Sequence, residues 1–197
     1  SSISDANITS AVLFINSKFF VPKSGCSLFC ALFIPHPIFL LDSPCELVST
    51  VFSMLGDTYH ELGMLTECME AYDSALVYNP SNINVLNNYA YFLSLEDKNL
   101  EEALQMSARA IAIEPNNATY IDTYAWILHR LGRNEEAKQY MRQALSLSSQ
   151  RDASLLAHYG DILWALGEKF MAETYWQKAV ERGYDKGEME ARIQKIK

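Results

Sequence analysis

The sequence predicts an all-α fold, a stack of about four helix–turn–helix pairs closed by a C-terminal helix. Three observations predict it. Four stretches resemble one another: LGDTYHELG at 55–63, YAYFLSLED at 89–97, YAWILHRLG at 124–132 and YGDILWALG at 159–167, with starts spaced by 34, 35 and 35 residues. Each is followed by a second periodic run: CMEAYDSAL at 68–76, ALQMSARAI at 103–111, AKQYMRQAL at 137–145 and AETYWQKAV at 172–180. Turn residues fall at matching places between the runs. Self-similarity at a fixed period of this length marks an architecture in which each unit buries its apolar face against the next.

Residues 1–48 stand apart from the repeat. Their charged residues are Lys18, Lys23, Asp5, Asp42 and Glu46, a net of −1 within a protein of net −8. Low charge and many aromatics argue against full disorder. The segment reads as apolar and irregular, native or foreign to the repeat. It is expected to lie against the N-terminal end of the stack, with its exposed remainder a candidate surface for homo-oligomer formation. Its most apolar stretch, Leu28–Leu41, is broken by Pro35 and Pro37 and falls short of the ~20 residues a membrane span needs, so no membrane span is expected. Of the four cysteines, Cys26, Cys30 and Cys45 lie in this segment and Cys68 in the first unit. Without His or Cys partners at metal-binding spacing they read as small apolar side chains.

The units span 49–82, 83–117, 118–152 and 153–182. In each second helix, small residues recur seven apart: Ala103 with Ala110, Ala137 with Ala144, Ala172 with Ala179. Seven residues is two turns, so both face the same way and let helices approach closely, with Tyr72, Met141 and Trp176 filling the gaps between them. Gly63, Gly132 and Gly167 fall where each first helix ends, and glycine readily adopts the left-handed conformation used there. Glu96-Asp97-Lys98-Asn99 replaces that glycine in the second unit. Pro80 and Pro115 stop the second helices, so Asn79–Asn82 and Glu114–Asn117 read as turns between units. Residues 183–197 form a capping helix, with Met189, Ile193 and Ile196 on its apolar side and Glu190, Arg192, Lys195 and Lys197 on its outer side.

These positions resemble the tetratricopeptide-repeat family. The resemblance is carried by Leu55, Gly56, Tyr59, Tyr72, Ala75 and Pro80 in the first unit, and by Ala90, Ala103, Ala110 and Pro115 in the second. It continues with Ala125, Gly132, Ala137 and Ala144, then Gly160, Gly167, Ala172 and Ala179. It covers roughly residues 49–182 and implies a right-handed superhelix whose first helices line a concave groove. Positions two, five, nine and twelve of each unit then point into that groove. The candidates for partner binding are Asp57, Asn84, Asn87, Tyr91, Asp122, Trp126, His129, Asp161 and Trp164. The family's carboxylate-holding variant uses Lys, Arg and Asn at such positions, and here no Lys or Arg stands at any of them. Trp126 and Trp164 read equally well as groove anchors and as packing between helices.

Chemistry is not indicated. No phosphate-binding glycine loop, GxSxG or HExxH occurs, so no enzyme activity and no cofactor are expected. Glu101, Glu102, Glu135 and Glu136 read as first-turn residues matched to helix dipoles. His158 and Asp161 share a helix three residues apart, with Asp122 and His129 on the preceding first helix, yet the axial offset of the two histidines is about 9 Å, so no metal site is expected. An acidic protein disfavours nucleic acid and anionic lipid. The composition is that of a folded soluble protein, with cytoplasm and cell envelope both open.

The functional expectation is a non-catalytic scaffold that binds a protein or peptide carrying basic and apolar side chains. Two alternatives stand beside it: an accessory region of a larger enzyme or export complex, and a self-assembling structural unit. Charges of one sign add within a concave surface, so a cationic segment is drawn in. Binding should therefore weaken as salt rises, because surface charges are screened beyond about 10 Å at 0.1 M. Titrating a captured partner at two ionic strengths checks this; an acidic partner, or an affinity indifferent to salt, contradicts it.

Overall fold

The computed structural model describes residues 44–148 and 152–196. Among them are nine helices in four pairs plus one: α1 (Pro44–Glu61) with α2 (Leu65–Tyr78), α3 (Ile83–Leu95) with α4 (Leu100–Ile113), α5 (Ala118–Arg130) with α6 (Asn134–Leu147), α7 (Ala153–Ala165) with α8 (Lys169–Glu181), and α9 (Lys186–Ile196). Each first helix packs most densely on its own second helix, and α3, α5 and α7 follow one another along the stack. This is the expected superhelix of four pairs with a C-terminal cap. The apolar stretch 28–41 and the rest of 1–43 lie outside the described residues. Residues 44–48, grouped above with the N-terminal segment, belong to α1, where Pro44 suits the first turn because that turn needs no N–H donor.

The ends of the helices follow from their side chains. Asn82, Asn117 and Asp152 cap α3, α5 and α7, each accepting hydrogen bonds from backbone N–H groups two or three residues on. The second helices lack side-chain caps; α4 and α6 instead carry Glu101, Glu102, Glu135 and Glu136 in their first turns, as expected. Gly63, Gly132 and Gly167 have φ of 73°, 77° and 80°. In the second unit Asp97 takes that place at φ 53°. The same closing bond forms in all four units, from the N–H of Met64, Lys98, Arg133 and Glu168 to the carbonyl of Tyr59, Leu93, Leu128 and Leu163 at 2.9–3.0 Å. Asp97 is held in its conformation by Arg130, whose guanidinium grips the carboxylate through Nε and Nη2.

Inside each pair, one contact sets the spacing. Gly56 lies under the ring of Tyr72, and Gly160 under the ring of Trp176; a methyl group built on Gly160 would sit 2.3 Å from Trp176 Cδ1. The equivalent pairs in the middle units are Ala90 with Ser107 and Ala125 with Met141. Where the first helix has no side chain the second presents a large ring, and where it has a methyl group the second presents something slimmer. All four second-helix residues are buried. Ala75, Ala110, Ala144 and Ala179 are fully buried beside them, and Cys68, at the place of an alanine, is a buried free thiol. Burial, helped by the charge of Asp57, pushes that thiol up to about 11.

Gly160→Ala should therefore destabilise the protein by ~1–3 kcal/mol, the usual cost of overpacking, despite alanine's better helix propensity. Urea unfolding of the wild type and the variant tests this; a neutral Gly160→Ala contradicts it.

Candidate functional site

The first helices α3, α5 and α7 bring five of the nine candidate residues into one cluster, and a residue from outside them completes it. The planes of Trp126 on α5 and His158 on α7 stack at 4.4 Å between centroids, and His129 lies 5.1 Å from the same indole. Tyr91 on α3 approaches His158 at 6.5 Å. His158 Nδ1 donates to both carboxylate oxygens of Asp122, at 2.9 and 3.1 Å. Asp161, three residues after His158, faces a different way. Its Oδ1 accepts from Trp176 Nε1 at 2.8 Å and its Oδ2 from Arg192 Nε at 2.6 Å.

Arg192 departs from the expectation for the cap, whose apolar stripe places it on the outer, solvated side. The structure turns it inward, with its Cζ 5.2 Å from the Trp126 ring and its Nη1 donating to Tyr184 Oη at 3.0 Å. Burial works against its charge, but the Asp161 carboxylate, through both charge and hydrogen bond, raises its pKa above the ordinary arginine value. The Trp126 indole, which has Arg130 Cζ of α5 5.9 Å over its ring, thus receives a second cation from α9. Burial and the nearby Asp122 charge likewise push the Tyr91 hydroxyl upward.

The other candidates sit apart from this cluster. Asp57, on α1, accepts from Tyr72 Oη and from Asn88 Nδ2 at 3.1 Å. It bounds a polar hollow of about 380 Å³ between α1 and α3, lined by Glu46, Thr50, Ser53, Asp57, Asn84 and Asn88. Asn84 is exposed and accepts from Tyr120 Oη at 3.2 Å. Asn87 is buried; its Nδ2 donates to Asn88 at 3.2 Å, while its Oδ1 has no partner among the described residues. Trp164 is half-buried, with Lys169 Nζ 5.0 Å over its ring and Trp176 at 5.5 Å. Trp126 is buried and packs between helices, and its Nε1, like Asn87 Oδ1, finds no partner among the described residues.

One regularity explains two of the three acidic positions. Asp57 and Asp161 each follow the glycine of their unit, and each accepts from the large ring that covers it, Tyr72 or Trp176. Tyr91 and Trp126 occupy the same position in the units where Ser107 and Met141 offer no such donor. The recurrence of Gly-Asp with an aromatic donor on the facing helix is present in the sequence and is the signal that identifies these carboxylates as packing partners. Arg192 carries no comparable signal, because its reach depends on where α9 docks. Among the described residues no helix is long and apolar enough to cross a membrane.

The tetratricopeptide-repeat profile matches residues 50–82 and 118–151. No curated protein matches. Among solved structures, PilF of Pseudomonas aeruginosa is similar at 23% identity and a TM-score of 0.59, over 72% of the present protein and 64% of PilF, which it therefore spans by less than two thirds. MamA from Desulfovibrio magneticus RS-1 is similar at 17% identity and a TM-score of 0.59, over 68% and 75%. The first repeat domain of RPAP3, bound to the HSP90 peptide SRMEEVD, is similar at 20% identity and a TM-score of 0.57, over 62% and 95%. These likenesses are of fold.

Two outcomes follow from the cluster. The Asp161 side chain is 3% exposed and its partner Arg192 21%, against 57% and 31% for Asp97 and Arg130. Asp161→Ala should cost about 2–4 kcal/mol, since it strands two buried donors, whereas Asp97→Asn should cost less than about 1 kcal/mol. Equal losses in urea unfolding contradict the assignment. Burial also depresses the His129 pKa, outweighing its bond to Asn134. The unfolded state then binds that proton more readily, so the contribution to stability is present above about pH 6.5 and lost as pH falls below it. The fall in unfolding free energy between pH 7.5 and 5.5 should be smaller in His129→Gln; an identical fall in both proteins contradicts it.

Proposed function

We propose that the chain, whose two matched tetratricopeptide repeats lie in a fold of that kind, is a non-catalytic scaffold binding a protein or peptide segment in its concave groove. The reading is supported most by Arg192. A guanidinium from a separate helix already rests against the aromatic and acidic side chains of the first helices. Those side chains therefore suit a basic partner with an apolar neighbour.

The groove on this reading has two parts. Toward the N-terminal end lies the polar hollow bounded by Asp57 and Asn84. Toward the C-terminal end lies the cluster of Tyr91, Asp122, Trp126, His129 and Asp161, with Asn87 beside it and Trp164 at its far edge. A basic segment running along the first helices would meet the hollow's acidic side chains, then the aromatic rings. Large aromatics are the usual anchors of such contacts, and acidic groups set the rate and selectivity of encounter.

Asn84 and Thr119 are exposed first-helix positions, so changing them tests the groove without disturbing the core. The intact protein, immobilised, should capture a specific partner from its source cell. The double variant Asn84→Arg with Thr119→Arg should lose most of that capture, because it sets like charge against a basic segment. Retention of the same partner at the same yield would count against the groove.

A second reading, self-assembly through the N-terminal end, draws on one observation. Leu47, Val51 and Met54 form an exposed apolar strip along α1, 61%, 41% and 63% exposed. Light scattering of the full-length protein and of Met54→Glu separates the readings: a dimer that dissociates in the variant favours self-assembly, and a monomer at high concentration removes it.

A further inference from the structure

We infer that Trp126, Asp161 and Tyr184 form a guanidinium-binding site, filled in the free protein by its own Arg192, and that the groove's partner inserts an arginine in its place. This rests on the groove reading above and names the side chain that the groove selects.

The three contacts divide a guanidinium between them. Asp161 takes the Nε–H, Tyr184 Oη takes an Nη1–H, and the Cζ stands over the indole ring of Trp126, 5.2 Å from its centroid. A planar cation with donors on a fixed fork can meet a carboxylate, a hydroxyl and a ring together, whereas an ammonium is a compact point charge that would give up the ring or the fork. Trp126 and Asp161 are contributed by α5 and α7 at equivalent positions of consecutive units, so the site belongs to the groove surface. Its occupant comes from α9.

Arg192 fits this site incompletely. Trp126 Nε1 is buried and has no acceptor among the described residues, and Arg192 cannot supply one because its guanidinium only donates. One turn before Tyr91 on α3, Asn87 Oδ1 is a buried acceptor that likewise lacks a donor.

The helix that carries the occupant is lightly packed. Met189 is the fully buried side chain of α9, with Ile193 and Ile196 partly covered. A hollow of about 430 Å³ remains between α8 and α9, lined by Trp176, Val180, Met189 and Ile193. An element with so little buried apolar surface opens at lower cost than the rest of the stack. The affinity of an incoming arginine is then reduced by the fraction of molecules in which Arg192 is seated, and removing Arg192 removes that reduction.

The experiment uses the full-length protein, wild type and Arg192→Ala, titrated calorimetrically with acetyl-Ala-Leu-Arg-Ala-Ala-amide and with its lysine counterpart. The arginine peptide should bind the variant on the order of tenfold tighter than wild type, and the lysine peptide should gain much less. Should Arg192→Ala be too unstable to titrate, its melting temperature with millimolar methylguanidinium or methylammonium is read instead; a rise with the first alone supports the site. Equal affinity of the arginine peptide for both proteins, or equal rescue by both cations, overturns it. If that peptide binds both proteins equally and Asn84→Arg with Thr119→Arg abolishes binding, the groove reading stands while the guanidinium site falls. If neither protein binds it and the native partner ignores the groove variant, both fall.

Discussion

The carboxylate of Asp161 joins three parts of the molecule that lie far apart in sequence. It sits on the first helix of the fourth unit, accepts from the indole of the second helix, and accepts from the guanidinium of the cap. Its side chain is 3% exposed, so each bond acts in a setting where water does not compete and where loss of a partner is costly. The indole it holds is the one that covers Gly160, so helix spacing within the unit and the position of α9 depend on the same group. The first unit repeats half of this device, with Asp57 under Tyr72. Where the cap's arginine bonds Asp161, Asn88 of the next unit bonds Asp57.

This arrangement gives the concave side two unlike regions. Between α1 and α3 the surface is open and polar, with amide and carboxylate groups that already bond to one another. Between α5, α7 and α9 it is aromatic and closed, with Asp122 engaged by His158 and Asp161 by Trp176 and Arg192. A groove that is net acidic in sequence is thus locally neutralised at its C-terminal end. On the proposed reading, a basic partner in that region would be drawn by exchange of one guanidinium for another more than by uncompensated charge.

The architecture is legible in the sequence because it rests on short-range rules. Glycine after a helix, in three units, proline after its partner, in two, and alanine seven residues apart, in three, each report a local constraint, and they recur in one order. Even the missing glycine of the second unit is visible, and the structure shows Asp97 making the same left-handed turn with help from Arg130. The groove chemistry is less legible. Tyr91, Asp122, Trp126, His129 and Asp161 do converge, but which are free to meet a ligand depends on contacts between units and on α9. Asp161 and Arg192 are 31 residues apart. The apolar stripe of α9 predicts a cap and places Arg192 outward, because one helix's periodicity cannot show that a long side group reaches past its own unit to Trp126. The fit of Tyr72 and Trp176 over glycine is likewise hidden, since glycine in a helix signals close approach without saying to what.

The inward seat of the Arg192 guanidinium against Trp126 and Asp161 is the claim on which the cap, the groove and the guanidinium site all depend. The Nε–H resonance of Arg192 in the ¹⁵N spectrum of the full-length protein reports it directly, assigned by its disappearance in Arg192→Lys. A seated group gives a resolved signal, shifted by the carboxylate and the indole ring, that exchanges with water much more slowly than the other arginines. An Arg192 signal that coincides with those of exposed arginines and exchanges as fast would mean that the cap does not enter the groove, and no guanidinium site would exist there.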